Sequence, residues 1–271
     1  LPGLFTVEMP PVMGVMTALL ISFIIGLGIA VTHNKPLKDI FFGFQEIVEK
    51  LVANILIPLL PFHIYGIFAN MTYAGTVVEI MSVFAKVFVI IIIMHVLIIL
   101  FQYTIAGTFS KKNPISMVRN MIPAYMTAIG TQSSAATIPV TVDCTKKNGV
   151  SKKMAEFVCP LCATIHLSGS TITLTSCAIA IMMLNGWSVN IAQMFPFIMM
   201  LGVTMVAAPG VPGGAVMSAL GILESMLGFN EAMLTLMIAL YIAQDSFGTA
   251  CNVTGDGAIA VLMDAIDGNN K

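Results

Sequence analysis

The chain has 271 residues, 58% apolar and only 9% charged, with a formal net charge of −1. An ordinary soluble domain carries roughly 25% charged residues, so this balance excludes a water-soluble globular protein and a cytosolic enzyme. The 12 cationic side chains are clustered rather than spread over a face, which excludes a basic field for nucleic acid. The run Phe157–Leu223 contains no Asp, Glu, Lys or Arg. Such a chain is expected to be a multi-pass protein of the cell membrane, with the lipid bilayer as its surroundings.

Charge-free runs mark three candidate spans, Met9–Asn34, Leu51–Val78 and Val87–Ser110, each long enough to cross about 30 Å of hydrocarbon as a helix. Lys35 and Lys38 place the link after the first span on the cytoplasmic side. The chain opens on Leu1 with no basic segment before its first apolar stretch, and reads as a fragment.

Lys111, Lys112 and Arg119 stand before the apolar stretch Asn120–Val142, and Lys146, Lys147, Lys152 and Lys153 stand after it. A single crossing would leave one cluster outside, whereas a hairpin entering and leaving the same face satisfies both. The centre, Gly130-Thr131-Gln132-Ser133-Ser134, is small and polar and suits a re-entrant tip. A second such segment runs from Phe195–Met205 through Ala208-Pro209-Gly210-Val211-Pro212-Gly213-Gly214 into Ala215–Leu223, where the prolines and glycines cannot continue a helix. A long segment follows each hairpin, around Glu156–Leu184 and around Glu231–Ala265.

The two long segments share a local motif: His166-Leu167-Ser168-Gly169-Ser170 in the first and Asn252-Val253-Thr254-Gly255-Asp256 in the second. Inverted repeats with interrupted helices meeting at mid-membrane are an architecture of secondary transporters, and a pore with re-entrant loops is the alternative. Asp245, Thr249, Asn252 and Asp256 fall on one stripe of a helix. A carboxylate at the bilayer centre costs at least about 2.5–3.5 kcal/mol, so Asp245 and Asp256 need partners or a cation. Asp264 and Asp267 read instead as solvated acids at a helix end. Unwinding at Gly255 would expose carbonyls that, with Asn252 and Asp256, form a hard-oxygen cage suited to sodium. His166 either adds a ligand there or donates a hydrogen bond. His33, His63 and His95 carry no spacing signal.

Ser133 and Ser134 offer hydroxyls and exposed N–H groups, and Gly210 to Gly213 allow close backbone approach; both suit a carboxylate-bearing solute. Asp245 is the natural partner of an ammonium group. The five cysteines, Cys144, Cys159, Cys162, Cys177 and Cys251, read as packing residues. Cys159-Pro160-Leu161-Cys162 matches C-x-x-C, but without a thioredoxin-like strand–helix context.

At these residues the sequence resembles the dicarboxylate/amino acid:cation symporter family, to which the excitatory amino acid (glutamate) transporters belong. The resemblance lies in Thr131-Gln132-Ser133-Ser134-Ala135-Ala136-Thr137-Ile138-Pro139, in Gly210-Val211-Pro212-Gly213 and in the segment Asp245 to Asp256. It implies an all-α integral membrane protein, with two re-entrant helical hairpins in inverted repeat, working as a homotrimer by an elevator motion. It further implies a partial scaffold of two transmembrane helices over residues 1–75 and a transport domain over 76–271. Family members are longer, so an N-terminal third of a typical member is expected to precede the helix at Val12–Val31.

Carried over by position, the resemblance implies substrate contacts at Ser133, Ser134, Ser170, Gly210, Val211, Asp245, Gly248, Thr249 and Asn252. It implies sodium, the coupling ion, at Asn252, Asp256, His166 and Thr164, with no other cofactor. Two positions depart from the family: Ser168 replaces a sodium-binding carboxylate, and Gly248 replaces the arginine that pairs an acidic side chain. The serine/threonine–sodium symporter branch shares both departures, and its Gln-Asp-Ser segment resembles Gln244-Asp245-Ser246. The expected function is therefore sodium-coupled import of a small neutral amino acid. The alternative is a sodium- or proton-coupled C4-dicarboxylate or acidic amino acid symporter. An ion channel would not need an ammonium-matching Asp, and a membrane enzyme would have only Cys159, Cys162 and His166 to work with.

Overall fold

The computed structural model describes residues 15–51, 54–55, 57–73, 75, 77–210 and 212–269, and every regular element among them is helical. Three helices come first: α1 (Val15–Thr32), α2 (Lys35–Leu51) and α3 (Ile57–Tyr73). The expected polar link after the first span is thus itself a helix. Its apolar residues Ile40, Phe41, Phe44, Ile47, Val48 and Leu51 recur at helical spacing between charged ones, the pattern of an interfacial amphipathic helix. Helix α4 (Val77–Ser110) follows, starting ten residues before the charge-free run that predicted it.

Helices α5 (Pro114–Thr131) and α6 (Ser134–Lys147) form a hairpin whose ends are set locally. Asn113 caps α5 by accepting from the N–H groups of Ile115 and Ser116, and Pro114 sits where its missing N–H costs nothing. Gln132 then turns left-handed (φ 52°), and Ser133 caps α6 by accepting from Ala136 N. The expected long segment Glu156–Leu184 is two helices, α7 (Lys152–Ile165) and α8 (Ser168–Leu184), broken at His166 and Leu167.

The second hairpin pairs α9 (Ile191–Val206) with α10 (Gly214–Leu227). Glycine is required at its tip: a Cβ on Gly214 would run into Pro209 O, and Gly213 has φ 72°. The last helix, α11 (Glu231–Asn269), is continuous, so the unwinding expected at Gly255 is absent.

Helix α11 organises the rest. Its first half, Met233 to Ile242, packs with α8, α9 and α10 around Phe197, Leu201, Ile222 and Leu223. Its second half, Ala250 to Val261, packs with α5, α6 and α7 around Tyr103, Met121, Ala124 and Ala128. Each hairpin therefore serves one half of one helix. Between helices in lipid the gain comes from close packing rather than from expelling water, and small residues permit it. A Cβ on Gly169 of α8 would lie 2.5 Å from the carbonyl of Gly248 on α11, so glycine at 169 is what that crossing needs.

The outer face of α4 leaves Val89, Ile90, Ile93, Leu97 and Phe101 exposed, and α1 does the same with Leu20, Phe23, Ile24 and Val31. Among the described residues three stretches are long and apolar enough to cross a membrane: Ile80–Ser110, Lys152–Leu184 and Glu231–Gly268.

Candidate functional site

The tips of the two hairpins meet. Ser133 Oγ donates to Gly210 O at 2.7 Å, and Gly213 N donates to Asp245 Oδ2 at 2.6 Å. Beneath them lies a narrow pocket of about 20 Å³, room for roughly one water molecule, lined by Gln132, Ser134, Ser170, Tyr241, Asp245 and Asn252 with further small residues. A far larger cleft, about 500 Å³ between α1 and α2, is lined by Ile29, Phe41 and Phe42 together with Lys35, Lys38 and other residues, and holds none of the site residues.

The floor of the pocket is the break between α7 and α8. Leu167, at the start of α8, offers no side-chain cap. Asn252 of α11 supplies it instead: its Oδ1 accepts from Gly169 N at 2.7 Å and Ser170 N at 3.3 Å, and its Nδ2 donates to Ser170 Oγ at 2.9 Å. Two orphan donors of a helix N-terminus are thus satisfied from a neighbouring helix. Tyr241 OH donates to Ser170 Oγ at 3.0 Å from one turn before Asp245.

On the α4 side, the imidazole of His95 completes the arrangement. Its Nε2 donates to Gly169 O at 3.0 Å, which fixes the residue whose N–H Asn252 holds. His95 and Tyr241 were not singled out by sequence reasoning. Tyr241 extends the stripe of Asp245, Thr249 and Asn252 by one turn, so its spacing was the available signal.

Of the expected substrate residues, Ser134, Ser170, Gly210, Asp245, Thr249 and Asn252 line the pocket. Ser133 reaches it through Gly210. Thr249 Oγ1 stands 3.5 Å from Asp245 Oδ1, at the limit of a hydrogen bond. A Cβ on Gly248 would lie 3.5 Å from Thr173 Oγ1 and 3.6 Å from Ser170 N, in ordinary contact, so a side chain there would head for α8 beside Ser170. Val211 lies outside the described residues.

The expected sodium residues do not assemble into a cage in this structure. Asn252 Oδ1 is engaged by two N–H groups. Thr164 is exposed, and its hydroxyl donates to Leu161 O. His166 Nδ1 and Asp256 Oδ1 are 2.9 Å apart, bonded to each other. The carbonyls near Gly255 stay in a continuous helix, and that of Thr254 also accepts from Tyr103 OH at 2.9 Å. The glycine serves close approach instead: a Cβ there would run into His166 Cε1. The Cys159 and Cys162 thiols are free and buried in packing.

A sequence model described as the sodium:dicarboxylate symporter family matches residues 1–266. The chain belongs to that family. Excitatory amino acid transporter 1 of Ambystoma tigrinum is 30% identical over 269 residues, covering 95% of this chain and 49% of that protein. The human excitatory amino acid transporter 1 is 28% identical over 271 residues, with 96% and 49% covered. The human excitatory amino acid transporter 5 is 32% identical over 155 residues, with 57% and 28% covered. The chain thus spans about half the length of the curated relatives it matches in full. The family is one of symporters rather than enzymes.

Proposed function

We propose that the protein containing this chain is a sodium-coupled symporter for an acidic amino acid or dicarboxylate. The observation that carries the proposal is the meeting of two hairpin tips over a buried carboxylate, in a chain matched almost end to end by a sodium:dicarboxylate family. That the aligned relatives are excitatory amino acid transporters supports an acidic solute, and weighs against the serine or threonine first expected. The N-terminus of α10 at the tip suits a solute carboxylate, and Asp245, held in place by the Gly213 N–H, suits its ammonium group.

A second reading keeps its place because of one observation. Among the described residues lining the pocket, Asp245 is the only ionisable acid or base other than a tyrosine. An acidic side chain desolvated there would lack a cation, a penalty a neutral amino acid avoids.

The wider architecture is proposed with the function: re-entrant hairpins in inverted repeat, an elevator motion and a homotrimer in the cell membrane. The proposed division sets residues 1–75 as scaffold against 76–271 as transport domain. Its support is that α4 to α11 share two continuous cores, whereas no described residue of α1 to α3 belongs to either.

The test is uptake by the full-length protein in proteoliposomes, driven by a sodium gradient with choline as control. Aspartate, glutamate and succinate should compete with the transported solute. Competition by serine, threonine and alanine alone would promote the second reading, and Gly248→Arg should then restore acidic competitors by giving them a bidentate partner.

A further inference from the structure

Asp256 is 1% exposed, and an unpartnered carboxylate so placed is costly. Its place on the polar stripe calls for a partner or a cation. The structure provides a side chain instead, since His166 Nδ1 donates to Asp256 Oδ1 at 2.9 Å.

His166 is held at three further points. The backbone N–H of His166 donates to Cys162 O at 2.8 Å, ending α7. Its Nε2 lies 3.0 Å from Gln102 Nε2 on α4, an amide donor to the ring nitrogen that Asp256 leaves unprotonated. Its Cε1 fills the hollow where Gly255 lacks a Cβ. The oxygens that would complete a cation's shell are placed elsewhere: Asn252 Oδ1 accepts from Gly169 and Ser170, Thr164 is exposed with its hydroxyl donating to Leu161 O, and the α11 carbonyls belong to the unbroken helix. A hard monovalent ion seeks several oxygens at once, and this set offers it only part of one carboxylate.

We propose that His166 occupies, as a side chain, the position beside Asp256 that a coupling cation would take. Sodium coupling in this protein then does not run through Asp256, and His166 is the residue that sets ion dependence at this point. The proposal rests on the preceding reading only in taking sodium as the ion to test.

The experiment measures thermal stabilisation of the full-length protein in detergent by sodium chloride, with choline chloride as the ionic-strength control. Asp256→Asn should move the sodium midpoint by less than about five-fold. His166→Asn, which frees the carboxylate and adds an amide oxygen, should create sodium-specific stabilisation or tighten it by about five-fold or more, and adding Asp256→Asn to it should abolish that gain. Should Asp256→Asn fail to fold, His166→Asn and His166→Gln carry the test alone. Overturning outcomes are an Asp256→Asn protein whose midpoint rises about five-fold or more, or His166 variants whose sodium response matches the parent. A parent protein without sodium-driven uptake whose His166→Asn variant gains sodium stabilisation would sink the functional reading and leave this one standing.

Discussion

The two five-residue motifs, His166–Ser170 and Asn252–Asp256, run in parallel as letters and behave oppositely as structure. The first breaks its helix, with His166 extended at φ −106° and ψ 94°, and the second continues through α11. One motif supplies bare N–H groups and the other supplies the oxygen that receives them, Asn252 Oδ1 on Gly169 N and Ser170 N. In return the broken motif sends His166 to the Asp256 of the intact one. Similar residues in a repeat thus mark complementary halves of one contact, and a break in one helix is stabilised by continuity in its neighbour.

The largest expected effect on this pairing comes from Gly169→Ala. The added methyl would meet the Gly248 carbonyl and Cys251 Cβ, backbone and fixed side chain without room to yield. Overpacking ordinarily costs about 1–3 kcal/mol and should reach the top of that range here. Thermal unfolding of the full-length protein in detergent should show a clearly lowered midpoint. An unchanged midpoint would mean the two motifs are not held in contact.

Asn252→Leu comes next, because it leaves the Gly169 and Ser170 donors without their cap, at roughly 1–3 kcal/mol for a stranded buried donor. Asn252→Asp keeps the acceptor oxygen and should recover most of the loss. If both variants unfold at the same temperature, the cap is not what stabilises the break.

The smallest effect belongs to Gly248→Ala. Its Cβ would find only ordinary contacts at 3.5 Å and beyond, and alanine gains up to about 1 kcal/mol over glycine inside a helix. Stability should stay within about 1 kcal/mol of the parent. A loss as large as that of Gly169→Ala would show that the crossing is read from the wrong side.

The hairpins were legible in the sequence because their tips interrupt an apolar run: polar Gln132 and Ser133 in one, helix-breaking Pro209 and Gly213 in the other. The stripe from Asp245 to Asp256 was legible because helical spacing needs only the helix. The α7–α8 break was not, since its stabilising cap sits 83 positions away on Asn252 and a local reading cannot see it. Gly255 misled for the same reason: glycine read locally suggests unwinding, whereas here it makes room for a ring from another helix. The links of α4 to the site, His95 on Gly169 and Gln102 on His166, lie in a segment too uniformly apolar to single them out. Helix α2 was passed over because charge was weighed there and periodicity was not.

The burial of all five cysteines, each 5% exposed or less, has a practical corollary for anyone who would watch this protein move. Its native thiols form a quiet background to aqueous maleimides. A single reporter cysteine introduced at Ser133 or Gly210 would then be the dominant reactive thiol in the chain. Spectroscopic labels can thus be placed on the two facing tips with Cys251, packed against Gly169, left in place, and the distance between those labels followed in the otherwise native sequence.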